Sequence, residues 1–484
     1  MARGACVVAA ALLLILLLIL AGGQGGGVHC LRSRAVSGAT VLELRHHSSG
    51  SSSSSGGPSR GKSRGGGGEA GGLLASDAAR VSSLQRRVAS YGPRIRPSSS
   101  AAAAFAAAES KLTQVPVTSG AKLRTLNYVA TVGIGGGEAT VIVDTASELT
   151  WVQCAPCDSC HDQQDPLFDP ASSPSYAALP CNSSSCDALQ LATGTSGSGQ
   201  TCGGADDQPP SSCSYTLSYR DGSYSRGVLA HDRLSLAGED IEGFVFGCGT
   251  SNQGPFGGTS GLMGLGRSQL SLISQTMDQF GGVFSYCLPL KESGTSGSLV
   301  LGDDSSVYRN STPIVYTTMV TDPTQGPFYF LNMTGITVGG EDVEPSAFSP
   351  AAKAIIDSGT IITSLVPSVY SAVRAEFLSQ LAEYPQAPAF SILDTCFNLT
   401  GLSVVQVPSL KLVFDGGVEV EVDSKGVLYV VSGDDASQVC LALAPLKSEY
   451  DTSIIGNYQQ KNLRVIFDTL GSQIGFAQET CDYV

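Results

Sequence analysis

Two short stretches of the chain carry residues suited to acid–base chemistry, and they are near-copies of one another. Val141-Ile142-Val143-Asp144-Thr145-Ala146-Ser147 is echoed by Ala354-Ile355-Ile356-Asp357-Ser358-Gly359-Thr360, with the two aspartates 213 positions apart. In each, an apolar run leads into Asp, a hydroxyl residue, a small residue and a second hydroxyl residue. One such tetrapeptide recurs by chance in most long chains. Two of them, each followed further on by an apolar pair and glycine (Leu262-Met263-Gly264 and Ile454-Ile455-Gly456), read as an internal duplication.

Splitting a peptide bond with neither a metal nor a covalent nucleophile requires one group to deprotonate water and another to protonate the carbonyl oxygen. Two carboxyls about 3 Å apart can do both, because like charges that close cannot both ionise and must share a proton. That proton belongs to the pair rather than to either residue. Asp144 and Asp357 are the candidates. Around them, Ser147 and Thr360 are suited to hydrogen-bond the outer carboxylate oxygens, and Thr145 and Ser358 to reach across and lock the two loops. Ala146 and Gly359 are small enough for backbone N–H groups to approach the carboxylates.

The elements that must position these groups are mainly strands. After Gly120 the chain becomes a series of short β-branched and aromatic segments punctuated by glycine, among them Tyr128 to Ile134, Thr140 to Val143, Tyr215 to Ser218 and Gly243 to Phe246. Val366 to Leu381 is the best helical pattern. Residues 24–122 differ in texture. Ser51 to Ser55, Gly65 to Gly68 and Ala101 to Ala104 are low-complexity runs that bury too little surface to order themselves, and between them Ala75 to Ser90 reads as a basic helix with Arg80, Arg86 and Arg87. At the N-terminus, Arg3 precedes an apolar run from Val7 to Ala21, shorter than the roughly 20 residues of a membrane span and ending in small residues, as a secretory signal does. The expected organisation is a signal peptide over 1–23, a largely disordered propeptide over 24–122, an N-terminal β lobe with a cysteine-rich insert over 123–308, and a C-terminal β lobe over 309–484.

The 484 residues include 28 Lys and Arg against 42 Asp and Glu, a formal charge of -14. Such a surface repels phosphate backbones, which excludes nucleic acid as the expected partner. No membrane contact is expected after signal removal, and the expected state is a monomer. Of 14 cysteines, 12 fall between Cys154 and Cys481, an even number that allows six bridges in a secreted chain; spacing alone cannot choose their connectivity. Asn182, Asn310, Asn332 and Asn398 open glycosylation sequons. Cys157-Asp158-Ser159-Cys160-His161 matches a haem-attachment pattern, and Cys154, Cys157, Cys160 and His161 are zinc-ligand types, but the oxidising route and even count favour bridges. Gly61 to Gly65 matches a serine-hydrolase elbow without the strand it needs. Neither metal nor cofactor is expected.

The duplicated motifs resemble those of the pepsin-like aspartic peptidases, and Ile454 to Asp468 together with the cysteines from Cys154 to Cys213 resemble the plant nepenthesin-like group. The resemblance runs from about residue 125 to the C-terminus. It implies a mainly β, bilobal fold in which each lobe gives one Asp to a cleft covered by a hairpin flap. It places Tyr219, Gly222 and Ser223 on that flap, with Trp151 as the partner of Tyr219. It also implies the pairings Cys154–Cys157, Cys160–Cys248, Cys181–Cys213, Cys186–Cys202, Cys287–Cys481 and Cys396–Cys440. The activity implied is hydrolysis of extended peptides at acidic pH with apolar residues around the scissile bond. The residue 24–122 segment would keep the enzyme off during secretion to the apoplast, with vacuole or plastid as other destinations. Ala146 departs from the Asp-Thr-Gly-Ser form of the first motif. It supports the alternative of a weak or inactive homologue acting as a protein-binding or inhibitor protein.

Overall fold

The strand expected from Tyr128 to Ile134 forms and turns back at Gly135 and Gly136, both at positive φ, into the strand Gly137–Asp144. In the computed structural model the described residues are 39–43, 66–90, 111–193, 212–218, 223–290, 295–321, 326–348, 352–402, 404–431 and 435–483. Val141 and Val143 face one apolar cluster and Ile142 another, which accounts for a continuous apolar run in place of alternation: the strand is buried on both faces.

Each half repeats one unit. Gly137–Asp144 runs parallel to Gly261–Gly264, with Ile142 opposite Leu262 and Asp144 opposite Gly264. Lys353–Ile356 runs parallel to Ser453–Ile455, with Ile355 opposite Ile454. The apolar pairs echoed in the sequence are thus the strand partners of the two motifs. The glycine after each lies against the motif loop of its own half. A Cβ on Gly264 would meet the Ser147 carbonyl oxygen at 2.8 Å, and one on Gly456 the Ile361 carbonyl oxygen at 2.6 Å. No side chain fits at either place.

The halves join through antiparallel strands. Val283–Cys287 pairs with Gly297–Leu301 on one side and with Leu463–Asp468 on the other, and Gln473–Gln478 and Val315–Val320 continue that side. The architecture is mainly β with two lobes. The helix expected near 366–381 spans Pro367–Gln380, with proline at its first turn, where no N–H is needed.

Three expectations need correction. First, Thr113–Ser119, assigned to the propeptide, is a strand of the main sheet, paired with Gly297–Leu301 and Tyr128–Ile134. Its Val115 and Val117 are buried in the main core. Second, the basic helix is longer than its pattern: it spans Gly66–Ser90, starting in a glycine-rich run of poor helix propensity. Docking overrides propensity here, since Leu74, Val81 and Leu84 are buried against the second lobe. Ala39–Glu43 is also ordered, as a strand against Val404–Pro408.

Third, the bridges of the first half differ. The strand Trp151–Gln153 runs parallel to Glu239–Gln253 with Val152 opposite Cys248, and Cys154, the first residue past the strand, bonds to Cys248. Cys157 is then left to Cys160 within their own loop, and Cys186 bonds Cys213 beneath the strand Ser214–Ser218. These replace Cys154–Cys157, Cys160–Cys248, Cys181–Cys213 and Cys186–Cys202. Cys181 is also bridged, and Cys202 lies outside the described residues. Cys287 of the first half is bonded to Cys481 of the second, and Cys396 to Cys440 within the second half.

Candidate active site

Asp144 is the last residue of one parallel-paired strand and Asp357 directly follows the other; both are fully buried. Their surroundings are mirrored. The Ala146 N–H donates to Asp144 Oδ1 at 3.0 Å and the Gly359 N–H to Asp357 Oδ1 at 2.8 Å. The Ser147 hydroxyl donates to Asp144 Oδ2 at 2.7 Å and the Thr360 hydroxyl to Asp357 Oδ2 at 2.5 Å. Between the loops, the Thr145 N–H donates to Ser358 Oγ at 3.1 Å and the Ser358 N–H to Thr145 Oγ1 at 3.0 Å. Each of these hydroxyls then donates to a carbonyl of the opposite motif strand, Thr145 to Ile356 and Ser358 to Val143. The mutual lock fixes how closely the two carboxyls approach.

A third charge sits on the pair. Arg80 of the helix Gly66–Ser90 points one guanidinium nitrogen, Nη2, at both carboxylates: 2.7 Å from Asp144 Oδ1, and 3.3 and 3.1 Å from the two oxygens of Asp357. One nitrogen can bond both only because the carboxyls are neighbours. Burial, the largest effect, pushes the Asp357 carboxyl up; Arg80 pulls it down and the Asp144 charge raises it. Three more side chains of this helix hold it against the site. Asp77 accepts the N–H groups of Ile361 and Ile362 at 2.8 and 2.9 Å, and burial pushes its own carboxyl up to about 7. Gln85 exchanges two hydrogen bonds with the Thr452 backbone, and Arg87 donates to the Ala146 carbonyl at 2.9 Å. The sequence displayed Arg80 as one of three arginines on a basic helix, and nothing in the pattern singled it out.

Behind the motifs stand residues that sequence reasoning missed. The Asn457 side-chain amide donates to the Ser358 carbonyl at 3.0 Å, and Gln460 holds the Asp357 and Ile455 carbonyls. Glu148, buried beside Ser147, accepts the Ser268 N–H at 2.6 Å, and burial pushes its carboxyl to about 7. Ala146 lies outside the left-handed backbone region, so its methyl carries no backbone strain. Gly359 differs: a Cβ there would stand 2.5 Å from the Asp144 carboxyl.

Trp151 is buried edge-on against Phe256 at 5.1 Å, and its Nε1 has no partner among the described residues. Tyr219 and Gly222 lie outside those residues; Ser223 is buried at the margin of a 70 Å³ cavity beside Arg80 and Asp144. Asn182, Asn310 and Asn398 are exposed, whereas Asn332 lies within a strand and donates to Asp415. The thiols of the haem and zinc patterns are bridged, and the described residues contain no group of three metal-ligating side chains. No helix among the described residues is long and apolar enough to cross a membrane.

Residues 128–303 match the family described as xylanase inhibitor N-terminal, and residues 328–478 that described as xylanase inhibitor C-terminal. An aspartyl protease family protein of Arabidopsis thaliana is 41% identical over 414 residues, covering 84% of this chain and 82% of that protein. The chain belongs to the plant nepenthesin-like group of pepsin-like aspartic proteases. Aspartic proteinase nepenthesin-1 of Nepenthes gracilis is 36% identical over 351 residues, covering 71% of this chain and 75% of that protein. In fold, the chain is similar to basic 7S globulin from soybean, with a TM-score of 0.60 at 21% identity over 76% of this chain and 97% of that one. Like its protease relatives, this member is an aspartic endopeptidase.

Proposed function

We propose that the chain is the latent precursor of a secreted endopeptidase that works by general acid–base activation of water between Asp144 and Asp357. The observation that carries this reading is the single Arg80 nitrogen within 3.3 Å of both carboxylates. Once Arg80 leaves, the pair holds one proton in place of an arginine. The ionised carboxylate takes a proton from water as that water attacks the scissile carbonyl carbon, while the protonated one gives its proton to the carbonyl oxygen. Collapse of the resulting diol returns a proton to the leaving amine. No metal or cofactor takes part in this scheme. Substrate is an extended peptide with apolar residues beside the scissile bond, and the working form is a monomer.

The leader 24–110 is the inhibitory segment in this reading, and the mature chain starts before Thr113, since that strand belongs to the main sheet. The bridges fit passage through an oxidising compartment. Secretion to the apoplast, with vacuole or plastid as other destinations, and glycans at the exposed Asn182, Asn310 and Asn398 extend the same reading.

The binding-protein alternative drew its support from Ala146. That residue sits without strain and keeps its N–H on Asp144, which favours the catalytic reading. The test is an acid digestion of denatured protein by the purified precursor and its processed form, with and without a statine-type transition-state mimic. Hydrolysis by the processed form alone, abolished by the mimic, is expected. No hydrolysis from a folded, processed chain overturns the proposal.

A further inference from the structure

The hydrogen bonds onto the two carboxyls are mirrored, but the small residue of each motif differs, Ala146 on one side and Gly359 on the other. On the Gly359 side there is no room: a Cβ would meet both the Asp144 carboxyl and Arg80 Nη2 at 2.5 Å. On the Ala146 side a methyl is present, fully buried, in an apolar cluster that includes Phe328, Phe330 and Leu446 of the second lobe. Ile355 and Ile454 of the same lobe stand behind it, and the leader covers it: Val81 and Leu84 pack into the cluster, and Arg87 lies 4.8 Å over the Phe328 ring while donating to the Ala146 carbonyl. When the leader departs, this wall loses its cover within two residues of Asp144. An apolar wall there is a subsite, and Ala146 trims it from the catalytic side.

We propose that Ala146 is a specificity-determining residue. Its methyl restricts the subsite shared with Phe328 and Phe330 to aliphatic side chains of the size the leader places there, Val81 and Leu84, and excludes aromatic ones. The inference rests on the peptide-hydrolase reading above and adds to it the size of side chain accepted at one position. A change of about one methyl-sized group in an apolar pocket alters discrimination by about 10- to 200-fold, so the effect is measurable.

The experiment compares the processed natural enzyme with the processed Ala146→Gly and Ala146→Ser variants. The substrates are peptides identical except for Val, Leu, Phe or Tyr at each position flanking the scissile bond. For the natural enzyme, kcat/KM for Leu over Phe at one of these positions is expected to be at least about tenfold. In Ala146→Gly that ratio falls by about tenfold, chiefly through KM for the aromatic peptide, whatever the absolute rates; in Ala146→Ser, of nearly equal volume, it is kept. The same ratio in the natural and glycine enzymes overturns the proposal, because a purely structural role moves all substrates together. Failure of every peptide with all three folded enzymes overturns the hydrolase reading instead, and this one with it.

Discussion

Arg80 Nη2 lies 2.7 Å from Asp144 Oδ1, although 64 positions separate the two residues in the chain. The contact joins the glycine-rich helix Gly66–Ser90 to the end of a core strand, and Arg80 is only 15% exposed against a fully buried partner. A cation on the dyad occupies the place where water and a substrate carbonyl would meet.

Removing that cation should make the precursor leaky. Arg80→Gln keeps the helix and loses the charge, leaving two buried carboxylates without a cation. Its uncut precursor is expected to hydrolyse a small fluorogenic peptide at least about tenfold faster than the natural precursor, the equivalent of about 1.4 kcal/mol of lost docking. Equal latency in both forms would move the inhibitory role elsewhere in the leader.

Asp77 makes docking depend on pH. Docked, burial raises its carboxyl to about 7 from the ordinary 3.8, against the opposing pull of the Ile362 and Ile361 N–H groups and of Arg80. A group whose docked value is raised stabilises docking fully below 3.8 and loses that contribution as pH rises through about 7. Helix 66–90 should therefore become more accessible to an added protease as pH rises through 7, and Asp77→Asn should remove this dependence. Asp77→Ala leaves the Ile361 and Ile362 N–H groups unpaired beneath the helix, at about 1–3 kcal/mol each, and should open the precursor at every pH.

Gly359 and Ala146 should not tolerate the same side chain. Gly359→Ala puts a methyl 2.5 Å from the Asp144 carboxyl, so proteolysis should be lost while the thermal transition of the chain shifts only slightly. Full activity in Gly359→Ala would mean that the two motif loops stand further apart than described.

The strand Leu463–Asp468 carries a buried charge pair unconnected with catalysis. Arg464 Nε bonds Glu479 at 2.8 Å with both side chains fully buried, and the guanidinium also donates to Tyr483, Ser298 and Ser285. Glu479→Leu strands the guanidinium, and a loss of about 3–5 kcal/mol of stability is expected by denaturant unfolding. Replacing Arg464 and Glu479 together by apolar residues should recover most of it.

Much of the site was legible because duplication writes it twice. Asp144 and Asp357, their hydroxyl partners and the apolar-glycine echoes are local patterns, and local patterns survive in sequence. The Arg80 contact did not, since which of Arg80, Arg86 and Arg87 meets the dyad depends on how the helix docks. Thr113–Ser119 was hidden by Pro116 and by the alanine-rich run before it, although Val115 and Val117 alternate as a strand should. The first-half bridges implied by the resemblance differ because partners are set by how strands meet in this chain: Cys154 ends up beside Cys248 where Trp151–Gln153 runs parallel to its strand.

The most direct test of the shared-proton pair is proteolysis by the processed enzyme across pH, alongside Asp144→Asn and Asp357→Asn. With Asp357 raised by burial and by Asp144, natural activity should fall as pH rises, with a midpoint above 3.8, and each variant should lose at least about a thousandfold in kcat. Undiminished turnover in either variant, or activity that climbs steadily into alkali, would contradict the account.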